Sequence, residues 1–233
     1  MTREPAQRAF AEAQAEDPGL AFTDWLRERA EPYWSQAAGH RFTRELADDS
    51  LPDAVYRRYL IQDYIFLDVL VRIVGYAIAS APSLTSRVKL STFLAAVTGE
   101  ENTYFLRSFE ALGVTEDDLG ATPPNEATEA FQELMLGAAQ SGGYLEILSV
   151  FLPAEWIYLE WAKRASAQSP QRFYLREWIE LHSLPEFEAF VVWLRGELDR
   201  EAGALPLERQ ESLAGLFRRI VELEAAFFEA AYE

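Results

Sequence analysis

Residues 51–82 read LPDAVYRRYLIQDYIFLDVLVRIVGYAIASAP. Apolar side chains recur in this stretch at three- and four-residue intervals, at Tyr59, Phe66, Leu67, Leu70, Ile73, Val74 and Ala77. That spacing marks one face of a long α-helix. Ser50 and Pro52 suit its start and Pro82 its stop. The same period runs through most of the chain and predicts further helices over about 22–36, 83–112, 126–141, 143–167, 170–182, 184–202 and 206–232. Gly113, the Gly120–Pro124 stretch, Gly142-Gly143, Ser169-Pro170, Pro185 and Gly203–Pro206 punctuate them. No strand-type alternation and no internal repeat is present. The expectation is an all-α, single-domain bundle over 21–233, with 1–20 as a polar N-terminal extension.

Composition narrows the function. Hydrophobic residues make up 49% of the 233, enough for a sizeable core. The chain has no cysteine, which excludes disulfides, thiolate metal sites and a cysteine nucleophile. Only two histidines, His40 and His182, are present, so no metal or other cofactor is expected, and a diiron or heme oxidase is disfavoured. Lys and Arg number 21 against 38 Asp and Glu, a net charge of −17. Such a surface repels phosphate backbones and anionic lipid, so neither nucleic acid nor a membrane is an expected partner. The longest apolar stretch, Leu67 to Ala81, carries Asp68 and Arg72 and is shorter than the ~18–20 residues of a membrane span. A soluble, cytoplasmic protein is the expectation.

The informative residues are acids that share a face with hydrophobic ones. Asp63 lies at i+4 from Tyr59, with Phe66, Leu67 and Leu70 following at i+3, i+4 and i+7. Glu224 lies at i+4 from Ile220, with Phe227, Phe228 and Ala231 following in the same way. A buried carboxylate costs several kcal/mol unless it is paired. Either each acid bridges to an inward Arg219 or Tyr59, or each is a polar anchor for a ligand in an apolar pocket. The period alone leaves both open.

Other positions carry weaker signals. The aromatics of the last two helices, among them Phe187, Phe190, Trp193, Phe217, Phe227, Phe228 and Tyr232, read as core. Glu155 follows Leu152-Pro153-Ala154 at a predicted helix start, where the helix dipole alone would favour an acid. Tyr158 comes one turn later. His40 and His182 are both expected at helix C-termini, as structural residues stabilised by the dipole. There is no phosphate loop, no Gly-x-Ser-x-Gly elbow and no His-Glu-x-x-His pair.

Taken in order, several segments resemble the TenA/thiaminase II family. They are Phe42 through Leu51-Pro52, then Tyr59-Leu60-Ile61-Gln62-Asp63-Tyr64-Ile65-Phe66-Leu67. Gly142-Gly143-Tyr144 leads on to Leu152-Pro153-Ala154-Glu155-Trp156-Ile157-Tyr158, which resembles the family's Leu-Pro-Cys-x-Trp-x-Tyr block. Tyr174 to Trp178-Ile179, and Glu224 with Phe227-Phe228, complete the series. The resemblance spans residues 22–232 and implies a heme-oxygenase-like fold, a homotetramer or dimer, and a pocket for an aminopyrimidine or thiamine-derived ligand. It implies hydrolysis of that ligand to the hydroxymethyl pyrimidine. By position, Asp63 would bind the ring's amino and nitrogen edge, Glu224 would hydrogen-bond a ring nitrogen and supply protons, and Tyr158 would line the reacting centre. Phe66 and Phe131 stand where many members have Tyr, as does His182, and each change removes a hydroxyl. Ala154 stands at the position of the cysteine nucleophile. Cysteine-less members are known in which a glutamate is thought to take over; Glu155 is the nearest candidate. A catalytically silent pyrimidine-binding or regulatory protein is the alternative that the same residues allow.

Overall fold

A computed structural model describes residues 8–233, and among them there is no β-strand. The stretch quoted at the outset forms α5 (Asp53–Ser80), entered through Pro52 and ended just before Pro82. Before it come α1 (Phe10–Glu16), α2 (Phe22–Arg29), α3 (Tyr33–Ala38) and α4 (Arg41–Ala47). After it come α6 (Leu84–Ala96), α7 (Asn102–Leu112), α8 (Glu116–Ala121), α9 (Glu126–Ser141), α10 (Tyr144–Ala165), α11 (Phe173–Ser183), α12 (Pro185–Ala202) and α13 (Leu207–Ala230). The all-α expectation holds.

Four details differ from the sequence reading, each for a local reason. The helix expected over 22–36 is two helices, because Pro32 disfavours helical backbone at Glu31. The helix expected over 83–112 contains a π-helical turn, Val97–Glu101, between α6 and α7. Two short helices, α4 and α8, lie in stretches with too few turns to show a period. His40 is not at a helix C-terminus. It is the N-cap of α4, where its Nδ1 accepts from the Phe42 amide at 3.2 Å and its Nε2 donates to Glu229 at 3.2 Å. Burial lowers its pKa, consistent with a neutral ring that caps rather than a cation answering a dipole.

The N-terminal segment is not uniformly solvated. Residues 1–7 lie outside the described residues, but Phe10 is buried with its ring edge-on to Phe22, the centroids 5.2 Å apart. Gly113 ends α7 at φ 66°, a left-handed conformation that costs glycine little.

The core is organised around α10. Every residue from Glu146 through Ile157 on it is buried, and α3, α5, α9, α11, α12 and α13 pack around it. A helix hydrophobic all round belongs in the middle of a bundle, so an acid on it must face either a partner or a hollow. Two clasps fix the surrounding helices. Arg172, just before α11, donates to Asp49 at 2.6 Å, Asp53 at 2.5 Å and the Leu51 carbonyl at 2.7 Å, tying α11 to the start of α5. Gln62 of α5 donates to the Pro123 carbonyl at 3.0 Å and accepts from the Asn125 amide at 2.9 Å and the Thr128 hydroxyl at 2.7 Å. That one buried amide fixes how α9 enters, and with it the position of Phe131.

Candidate active site

A cavity of about 830 Å³ opens into the bundle. Asp63, Phe66 and Leu70 reach it from α5, Phe131 from α9, and Ala154, Glu155 and Tyr158 from α10. Trp178 and His182 reach it from α11, and Glu224 and Phe227 from α13. Every site residue singled out in the sequence therefore lines one hollow. Phe66 stacks on Phe131 with centroids 4.8 Å apart and planes 16° from parallel, forming one flat wall.

Adjacent positions on a helix diverge by ~100°, yet Ala154 and Glu155 both line the cavity. Pro153 sits immediately before them inside α10, where it withdraws one backbone donor from the ladder. The hollow is broad enough to meet both positions. Ala154 contributes only a methyl group.

The acids have no cationic partner among the described residues. Glu224 is 1% exposed, and its Oε2 has no hydrogen-bond partner. Arg219, the sequence candidate to bridge it, is exposed and pairs with Glu222 at 3.0 Å. Among the described residues no Lys, Arg or His forms an ion pair with Asp63, Glu155 or Glu224. Burial raises the pKa of all three well above the usual carboxylate range. Mutual repulsion adds to this: Asp63 lies in the field of Glu101, Glu155 in those of Glu101 and Asp63, and Glu224 in those of Asp63 and Glu155. Ionising one of these groups therefore opposes ionising the next. Such a floor favours a ligand that brings hydrogen-bond donors or positive charge.

Glu101 belongs to this set and the sequence reading missed it. The signal was there: Tyr104, Phe105 and Ser108 follow at i+3, i+4 and i+7 and are buried, the same pattern that marked Asp63 and Glu224. Burial pushes Glu101 up to about 7.

Neutral polar groups complete the wall. Trp178 Nε1 donates to the Tyr59 hydroxyl at 3.1 Å, and the Tyr59 and Tyr158 hydroxyls are 2.8 Å apart. Burial raises the pKa of Tyr158 far enough to keep it protonated. His182 is buried, and its pKa is lowered to about 4 by desolvation, so it is neutral near pH 7. Its Nδ1 lies 2.9 Å from the Trp178 carbonyl; a carbonyl only accepts, so Nδ1 carries the proton and Nε2 presents a lone pair. The ring sits in the last turn of α11, where the sequence reading put it, and desolvation outweighs any support from the helix dipole.

Among the described residues no three His, Asp or Glu groups are placed to hold one metal ion, and no helix is long and apolar enough to cross a membrane.

The sequence model of the TENA/THI-4/PQQC family matches residues 27–233. The chain is 29% identical over 216 residues to the aminopyrimidine aminohydrolase of Halalkalibacterium halodurans, covering 91% of this chain and 96% of that protein. It is 25% identical over 217 residues to the aminopyrimidine aminohydrolase of Helicobacter pylori, covering 92% of this chain and all of that one. Among solved structures, a TenA family transcription regulator from Silicibacter sp. superposes with a TM-score of 0.82 at 26% identity, over 93% of this chain and 98% of that chain. A heme oxygenase-like domain of Shewanella denitrificans shares the fold at a TM-score of 0.67 and 14% identity, over 92% of this chain and 93% of that chain.

Proposed function

The chain belongs to the TENA/THI-4/PQQC family, and from that premise we propose that it is a thiamine-pyrimidine salvage hydrolase that works without a cysteine. Its substrate class is an aminopyrimidine carrying a cleavable methylene substituent: the aminomethyl compound, its N-formyl derivative, or thiamine. One observation carries this reading. Asp63, Glu155 and Glu224, none of them in an ion pair among the described residues, converge on an aromatic cavity that also contains Ala154. Two of the relatives are named for this hydrolysis.

The roles follow from chemistry. A flat ring lies against the Phe66–Phe131 wall. Asp63 accepts from the exocyclic amino group. Glu224, held neutral by burial, donates to a ring nitrogen and so lets the ring take up charge as the methylene reacts. Glu155 in its ionised form positions a water and removes its proton, and the water oxygen attacks the methylene directly. Ala154 leaves room for that water. The Tyr158 hydroxyl and the His182 lone pair serve the polar rim. No nucleic acid, membrane or cofactor enters this scheme, and we take the protein to act in the cytoplasm as a homo-oligomer, a tetramer or dimer.

The test is release of hydroxymethyl pyrimidine, followed by chromatography. No turnover of thiamine, the aminopyrimidine or its formyl derivative at high enzyme concentration would reject the proposal. Tight binding of the pyrimidine without turnover would favour a silent binding or regulatory protein instead.

A further inference from the structure

Glu101 comes from a different element than the three acids that mark the floor, one with its own distortion. It closes the π-helical turn Val97–Glu101. Such turns are rare and recur where the distortion places a side chain for use. Glu101 reaches the same cavity as Asp63 and Glu155 and pairs with no cation among the described residues. Its position along the cavity is defined by its neighbours. Asp63 and Glu155 both feel its charge; for Glu224 the charges that matter are Asp63 and Glu155. Glu224 is 1% exposed, whereas Glu101 is half-buried and is followed outward by the exposed Glu100, Gly99 and Ala96. Glu224 therefore lies deep in the cavity and Glu101 toward its mouth.

A pyrimidine held by Asp63 and Glu224 extends its cleavable substituent past Glu155 toward Glu101. Resting on the hydrolase reading above, we propose that Glu101 is the carboxylate that receives the departing nitrogen, holding the aminomethyl group as its ammonium so that it leaves as ammonia. The step balances. The C–N bond breaks with its electron pair going to nitrogen, the water oxygen forms the new C–O bond, and the water's proton passes to Glu155. Ammonia then takes that proton and departs as ammonium, leaving the alcohol and both carboxylates as they began. Without a nearby anion, the apolar hollow would favour the neutral amine, whose leaving group would be the far poorer amide ion. A carboxyl that titrates to about 7 matches this duty.

The experiment compares two leaving groups on the same ring, the aminomethyl pyrimidine and a 4-nitrophenoxymethyl analogue, whose leaving group departs as a stable anion and needs no proton. Glu101→Gln is expected to slow release of hydroxymethyl pyrimidine from the amine by about 10²-fold or more. The nitrophenoxy compound should change only a few-fold, and calorimetric affinity for the hydroxymethyl product should persist, which shows that the variant is folded. Glu101→Asp, which keeps the charge and changes the length, should recover part of the amine hydrolysis. Equal losses for both leaving groups, no loss, or a Gln variant more active on the amine than the Asp variant would overturn the role. Failure of the unaltered protein to turn over either compound would sink the hydrolase reading itself, and this role with it.

Discussion

Replacing Glu224 by Gln separates a ligand anchor from a structural acid. Its side chain is 1% exposed, and one oxygen has no partner among the described residues. A buried polar group left unsatisfied costs about 1–3 kcal/mol, more when charged. The pKa of Glu224 is raised by burial and then by Asp63 and Glu155. A raised folded value means that the fold binds its proton more tightly than the unfolded chain does. The stabilisation is present in full below the unfolded value of about 4.5 and is lost as pH rises through the folded one. At pH 8 folding must either bury a charge on Glu224 or hold it protonated where the unfolded chain is ionised, a cost that Gln never meets. For a chain of this size 1 kcal/mol moves Tm by about 2–4 °C, so Glu224→Gln should raise Tm by roughly 2–10 °C at pH 8. That gain should fade toward pH 4.5. Scanning calorimetry of both proteins across this range reads the effect. A Tm that falls by the same amount at every pH would refute the reasoning, because Glu224 would then be a packing residue that does not titrate.

Three further perturbations probe the framework around it. Gln62→Leu strands the Asn125 amide and the Thr128 hydroxyl; it should cost about 2–3 kcal/mol in urea unfolding and raise KM through a displaced Phe131. Glu155→Gln should lower kcat by about 10²-fold or more while leaving affinity for hydroxymethyl pyrimidine intact, measured by steady-state kinetics and calorimetry; unchanged product formation would remove it as the base. For His182 the sign is opposite to that of the acids. Its folded pKa of about 4 lies below the unfolded value of 6.5, so its contribution is present above 6.5 and is lost as pH falls toward 4. His182→Gln should therefore narrow its stability gap to the wild type by about 3 kcal/mol over that interval, followed by denaturant titration at each pH.

Long amphipathic helices were legible because a period repeated over five or more turns cannot easily be mistaken, as in α5 and α13. Short elements such as α4 and α8 have no room to show one, and their ends are set by contacts with distant residues. The inward acids Asp63 and Glu224 were legible because each violates its own helix's pattern. Glu101 carried the same violation, but it was hidden inside a helix read as continuous, where the π turn gave no sequence mark. His40 was misplaced because α3 ends at Ala38 and the chain re-enters a helix at Arg41, leaving His40 as the N-cap of the next helix instead of the end of the last. That Ala154 and Glu155 could share one hollow was beyond the sequence, since it depends on the breadth of a cavity lined from many helices.

Calorimetric titration with 4-amino-5-hydroxymethyl-2-methylpyrimidine tests the ring-gripping floor most directly, with Asp63→Asn and Glu224→Gln measured beside the wild type. The account predicts saturable one-to-one binding to the wild type, weakened by about tenfold or more in each variant, as expected when the ring loses a carboxylate acceptor at 63 or an acidic donor at 224. No binding to the wild type, or equal affinity in all three proteins, would contradict it.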